Sequence, residues 1–83
     1  MSDIKLSSKA QSLKNGVYMH YKGNKYLVLG VVIHSETLEE LVLYKALYGE
    51  GLNWVRPLEM FLENVETSSQ VLPRFRFIGK KTK

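Results

Sequence analysis

The residue types that can do chemistry fall into a few short stretches of this chain. His34-Ser35-Glu36 contains the components of a hydrolytic triad. A triad needs its three side chains on one hydrogen-bonded line. Consecutive residues of an extended segment point to opposite faces, so His34 and Ser35 diverge. The tripeptide instead predicts a turn, organised by Ser35 and Thr37 through side chain–backbone hydrogen bonds. A transition-metal site needs three or four converging ligands. The chain offers His20 and His34, with Glu36 as a third candidate, no Cys and no Asp except Asp3. No metal is expected. Gly49-Glu50-Gly51 lacks the Lys and the following helix of a phosphate-binding loop, so it reads as a turn and no cofactor is expected.

Arginines and aromatic rings carry more. Arg56 and Arg74 are two of only three arginines, and each stands beside a proline. A guanidinium is a planar fork of five donors, suited to a buried carboxylate or to a ligand anion. Glu36, Glu59 and Glu63 are the candidate internal partners. Five Tyr, three Phe and one Trp occur, most of them in strand-like segments. Large rings fill the core of a small domain. A partly exposed pair is also a platform for peptides, methylated amines or bases. Tyr44 and Trp54 are the pair expected to share such a face.

The elements that must position these residues begin at Asn15-Gly16, a turn signal. Gly16–Tyr21 reads as a strand, Lys22-Gly23-Asn24 as a turn, and Lys25–Ser35 as a second strand, so residues 16–35 form a hairpin. The second strand is apolar on both faces, the mark of a strand inside a sandwich or barrel. Gly30 at its middle predicts a bulge or bend. Glu40–Leu47 is the third strand. A helix competes there, because Leu38, Leu41, Val42 and Lys45 also fit helical spacing. Val42, Tyr44 and the nearby turn residues favour strand. After Tyr48-Gly49-Glu50-Gly51, Asn53–Arg56 is a short fourth strand. Pro57 opens one helical turn over Leu58–Phe61. Thr67–Gln70 is a loop and Pro73–Ile78 the last strand. Five short strands joined mostly by tight turns predict a mostly β fold, a small five-stranded SH3-like barrel.

Length and charge set the outer limits. The 83 residues leave room for one domain. No Cys is present, so no disulfide supports the core. The net charge is +4, but residues 16–79 carry six cations against seven Glu, a balance of −1. The positive excess lies in residues 1–15 and 80–83, expected to be a flexible N-terminal arm and a disordered basic tail flanking a domain at 16–79. Nucleic-acid binders carry their basic patch on the folded body, so the charge supports that class weakly. No apolar run reaches signal-peptide length or the ~18 residues of a membrane span. A cytoplasmic location without membrane association is the expectation.

Gly16-Val17-Tyr18, His20-Tyr21-Lys22-Gly23-Asn24, His34-Ser35-Glu36-Thr37, Leu47-Tyr48-Gly49, Trp54-Val55-Arg56-Pro57-Leu58-Glu59-Met60-Phe61 and Pro73-Arg74-Phe75 follow one another with compact spacing. In these stretches the chain resembles the bacterial family known as domain of unknown function 1653. The resemblance implies an SH3-type barrel. It implies no activity and lends no catalytic or binding residues.

The function expected from the residues is a non-enzymatic binding module for a small molecule, a peptide or other protein partner, or a nucleic acid. The alternatives are a single-stranded nucleic-acid binder and an accessory domain that completes an enzyme's site. The expected site is a rim cluster of His34, Glu36, Tyr44, Trp54 and Arg56. It rests on the second, third and fourth strands being neighbours, which brings Arg56 toward Glu36.

Overall fold

A computed structural model describes residues 5–80. Residues 1–4 and 81–83, the ends of the expected arm and tail, lie outside the described residues. The elements in chain order are α1 (Ser8–Ser12), β1 (Gly16–His20), β2 (Lys25–Ile33), β3 (Glu40–Ala46), β4 (Asn53–Pro57), α2 (Leu58–Phe61), β5 (Asn64–Glu66), β6 (Val71–Pro73) and β7 (Phe75–Gly79). Five strands form one antiparallel sheet in the order β4-β3-β2-β1-β7, and β5 pairs with β6 in a small second sheet. No described helix is long and apolar enough to cross a membrane.

The meander from β1 to β4 follows from local signals. Glu40–Ala46 is strand rather than helix, one residue shorter than expected, with Val42 and Tyr44 buried on one face. Gly30 stands where the β2–β3 register shifts, between Val28 and Gly30. The extra residue is Leu29, and a bulge of this kind bends a strand and increases its twist. Gly16 is needed for a closer reason. A Cβ there would sit 2.7 Å from the carbonyl oxygen of Gly79, so β1 and β7 can approach only because the position is glycine.

The ladder does not close into a barrel. Strands β4 and β7 are the two edges, and no hydrogen-bonded ladder joins them among the described residues. The physical reason lies in residues 57–73. Pro57 has no N–H to donate, and the chain leaves β4 for α2 and then for the β5–β6 hairpin. The gap is spanned by side chains instead. Phe61 of α2 stacks on Phe75 of β7 at 4.2 Å between centroids, with an interplanar angle of 8°. The guanidinium of Arg56, on β4, lies 5.6 Å from the same ring. The sheet is therefore curled until its edges face each other across a core of Tyr18, Val28, Val42, Tyr44, Phe61 and Phe75.

The segment assigned to an arm by composition also contains structure. Ser7 caps α1: its Oγ accepts from the Ala10 N–H at 3.1 Å. The Ser7 N–H and Oγ–H both donate to the Glu40 carboxylate, each at 2.7 Å. That clamp seats Ala10 in the core, and Leu13 packs beside it. Small side chains such as Ala give little sequence signal, so composition alone reads this segment as an arm.

Candidate functional site

Each of the five strands contributes to a polar-aromatic cluster at the open side of the curl. From β4 come Trp54 and Arg56, two residues apart and so on one face. Tyr44 of β3 stands directly opposite Trp54 in the ladder. Tyr26 of β2 meets Tyr44 edge-on at 5.2 Å between centroids. His20 of β1 stands opposite Phe75 of β7, with ring centroids 4.9 Å apart. Tyr48, from the β3–β4 turn, shares a 2.7 Å hydrogen bond with the Tyr26 hydroxyl. Exposure grades across the set. Tyr44 is buried, while Tyr48 and Trp54 are 45% and 50% exposed.

Arg56 is the focus of the cluster. Its Nε donates to the Tyr44 hydroxyl at 3.3 Å, and its guanidinium packs on Phe75. A cation over an aromatic face is attracted by the ring quadrupole. No carboxylate pairs with it among the described residues: the single salt bridge there is Arg74–Glu63, at 3.2 Å. The two terminal nitrogens of Arg56 remain as donors. Arg74 is occupied by Glu63 through one nitrogen, while its buried Nε has no partner.

His20 lies in this field. Its Nδ1 accepts from the Lys22 N–H at 3.2 Å, which leaves Nε2 to carry the proton of the neutral ring. Burial lowers its pKa from the usual histidine value, and the charges of Arg56, Arg74 and Lys22 lower it further. Tyr26 is shifted the other way, up to about 12, by burial first and then by its hydrogen bond with Tyr48.

The five residues expected to form the rim site are thus placed in two groups. Arg56, Tyr44 and Trp54 come together. His34 and Glu36 belong to the β2–β3 turn, where the His34 Nδ1 accepts from the N–H groups of Glu36 (3.1 Å) and Thr37 (3.3 Å). Thr37 Oγ1 accepts from the Glu39 N–H at 3.2 Å. His34 is therefore spent on the turn, and no ion pair links Glu36 to Arg56 among the described residues. His20, Tyr26, Tyr48 and Phe75 take part where His34 and Glu36 were expected. The His20-Tyr21 pair and the aromatic pattern hinted at them. Their meeting with Arg56 depends on β1–β7 pairing, which no local pattern announces.

Two grooves lie elsewhere. One, of about 460 Å³, runs between α1 and the rings of Tyr18, Phe61 and Phe77, with Lys9 and Lys14 at its rim. The other, of about 560 Å³, separates the start of α1 from α2. Neither gathers a charged fork and hydrogen-bonding rings as Arg56 and its neighbours do. No group of three or more metal-ligating side chains occurs among the described residues.

A family model described as a protein of unknown function, DUF1653, matches residues 16–77. A crystal structure of a DUF1653 protein from Bordetella bronchiseptica is similar over 89% of this chain and 97% of that one, at 41% identity and a TM-score of 0.81. No curated protein matches the sequence.

Proposed function

The chain belongs to the DUF1653 family, and for this member we propose a non-enzymatic binding module that takes an anionic ligand bearing a flat ring. The observation that carries the reading is Arg56. It is held in place by the Tyr44 hydroxyl and the Phe75 ring, it lacks a carboxylate partner among the described residues, and it lies beside half-exposed Trp54. A pre-oriented guanidinium loses little entropy on binding and matches a two-oxygen anion bidentately. The Trp54 ring supplies an adjoining apolar surface for stacking. We read the curl as an SH3-type barrel stapled by side chains, a reading supported by the Arg56–Phe75–Phe61 contacts across the open seam.

The folded body's charge balance of −1 speaks against long nucleic acids, whose affinity rests on many phosphate contacts. The test uses the chain's single tryptophan as its own probe. Titration with ring-bearing anions should change Trp54 fluorescence. Arg56→Lys keeps the positive charge but loses the fork, and should weaken binding by about tenfold, the size of one charge-assisted hydrogen bond. Unchanged fluorescence across such a panel would rule the reading out.

A further inference from the structure

We propose that the ligand's anion is a doubly charged phosphate monoester, held jointly by Arg56 and a protonated His20. This rests on the binding reading above and names its ligand class. A carboxylate is satisfied by one guanidinium fork. The cluster offers more than one fork: the terminal nitrogens of Arg56, the Nε2 side of His20, and the paired hydroxyls of Tyr26 and Tyr48. A phosphate monoester presents three acceptor oxygens and nearly two charges, so it can use all of them.

The electrostatics favour the same ligand. His20 is packed by Tyr21 at 4.7 Å, by Tyr26 at 6.4 Å and by Phe75 at 4.9 Å between ring centroids. The charged groups that act on it are Arg56 from β4, Arg74 from the β6–β7 junction and Lys22 from the β1–β2 turn. All three are cations, and among the described residues only Arg74 is shared with a carboxylate, Glu63. Burial first, and then these cations, oppose a proton on His20. An arriving dianion offsets that positive field, so binding favours a proton on the imidazole. The second observation is positional. Trp54 stands half exposed two residues before Arg56 on the same face, where the ring of the ligand can stack.

The chemistry has two natural sources, a nucleoside monophosphate and a phosphotyrosine side chain. The experiment follows the His20 imidazole by NMR during titrations with each, and with benzoate as a singly charged flat ring. Both phosphates should raise the His20 titration midpoint, and the tighter of the two identifies the source. Benzoate should bind at least tenfold more weakly and leave the midpoint in place. His20→Gln should cost the phosphates about tenfold and benzoate nothing, again the size of one charge-assisted hydrogen bond. If benzoate binds as tightly as the phosphates, or the midpoint does not move, the dianion is refuted while the Arg56 site stands. If no ring-bearing anion perturbs Trp54 or His20, the binding reading falls with it. The midpoint on the unmodified protein decides the matter even where the variant fails to fold.

Discussion

Arg56 and Phe75 come from the two outer strands of the sheet, yet the guanidinium lies 5.6 Å from the ring centroid. Backbone hydrogen bonding leaves these strands apart. The contact shows that the curl is completed by side chains. Nε and the face of the fork serve the fold, so the proposed binding through the terminal nitrogens can be tested apart from stability.

Phe75→Ala should therefore cost stability heavily. The ring touches Phe61, Tyr44, Tyr26 and His20. Truncating a buried Phe costs about 3–5 kcal/mol. Arg56→Lys should shift the denaturation midpoint only slightly. Urea unfolding of both variants measures the difference, and equal losses would mean that the fork holds the seam as strongly as the ring does.

The β2–β3 turn carries removable strain. Leu38 has φ 63°, a left-handed conformation, and is exposed. For a Leu this costs roughly 1–2 kcal/mol, and Asn tolerates it far better. Leu38→Asn should raise Tm by several degrees, about what 1 kcal/mol gives in a domain of this size. A lower Tm would show that the Leu38 side chain contributes packing.

The N-terminal helix should matter to the whole domain. Ser7→Ala removes the cap and should cost about 1 kcal/mol. Glu40, which receives two hydrogen bonds from Ser7, has its pKa lowered by them. Its contribution is present above the ordinary carboxylate range and lost as pH falls through the depressed value. Glu40→Gln should flatten that acid-side loss in a series of thermal melts. Deleting residues 1–12 should lower Tm, since Ala10 leaves the core.

Two further titrations have opposite signs. His20 has a lowered pKa, so its contribution is full above the usual histidine value and is lost as pH falls toward the depressed one. Tyr26 is raised to about 12, so its contribution is full below pH ~10, the ordinary tyrosine value, and is lost as pH rises toward 12. Tyrosinate absorbance should show two late-titrating rings, Tyr26 and Tyr18, the second raised by its own burial. Tyr48→Phe should bring Tyr26 part of the way back, because the Tyr48 hydrogen bond is a lesser cause than burial.

The meander was legible because its signals are local. Glycine turns separate period-two runs, and Gly30 marks the bulge in β2. Tyr44 and Trp54 stand opposite each other for the same reason: a short turn joins β3 to β4. The β5–β6 hairpin was not legible. Asn64-Val65-Glu66 and Val71-Leu72-Pro73 are too short for a pattern, and their pairing is joined to β7 through the Arg74 N–H on the Glu63 carbonyl. The choice between the two histidines was not legible either. His34 lies near Glu36 in sequence, but Nδ1 is consumed by its own turn. His20 meets Arg56's surroundings only after β7 crosses to pair with β1, a contact between distant parts of the chain.

That crossing also constrains how the protein is made. Strands β1 to β4 can pair as each leaves the ribosome, because every hairpin among them is local. The ring at the centre of the core, Phe75, is translated after all of them, and its strand must return to β1 across nearly the whole length of the domain. Until then Tyr26, Tyr44 and Phe61 lack their common neighbour, and the nascent meander exposes apolar surface of the kind that chaperones hold. A message truncated before codon 75 therefore yields a chain with most of its strands and no packed interior, a substrate for proteolysis rather than a smaller version of the fold.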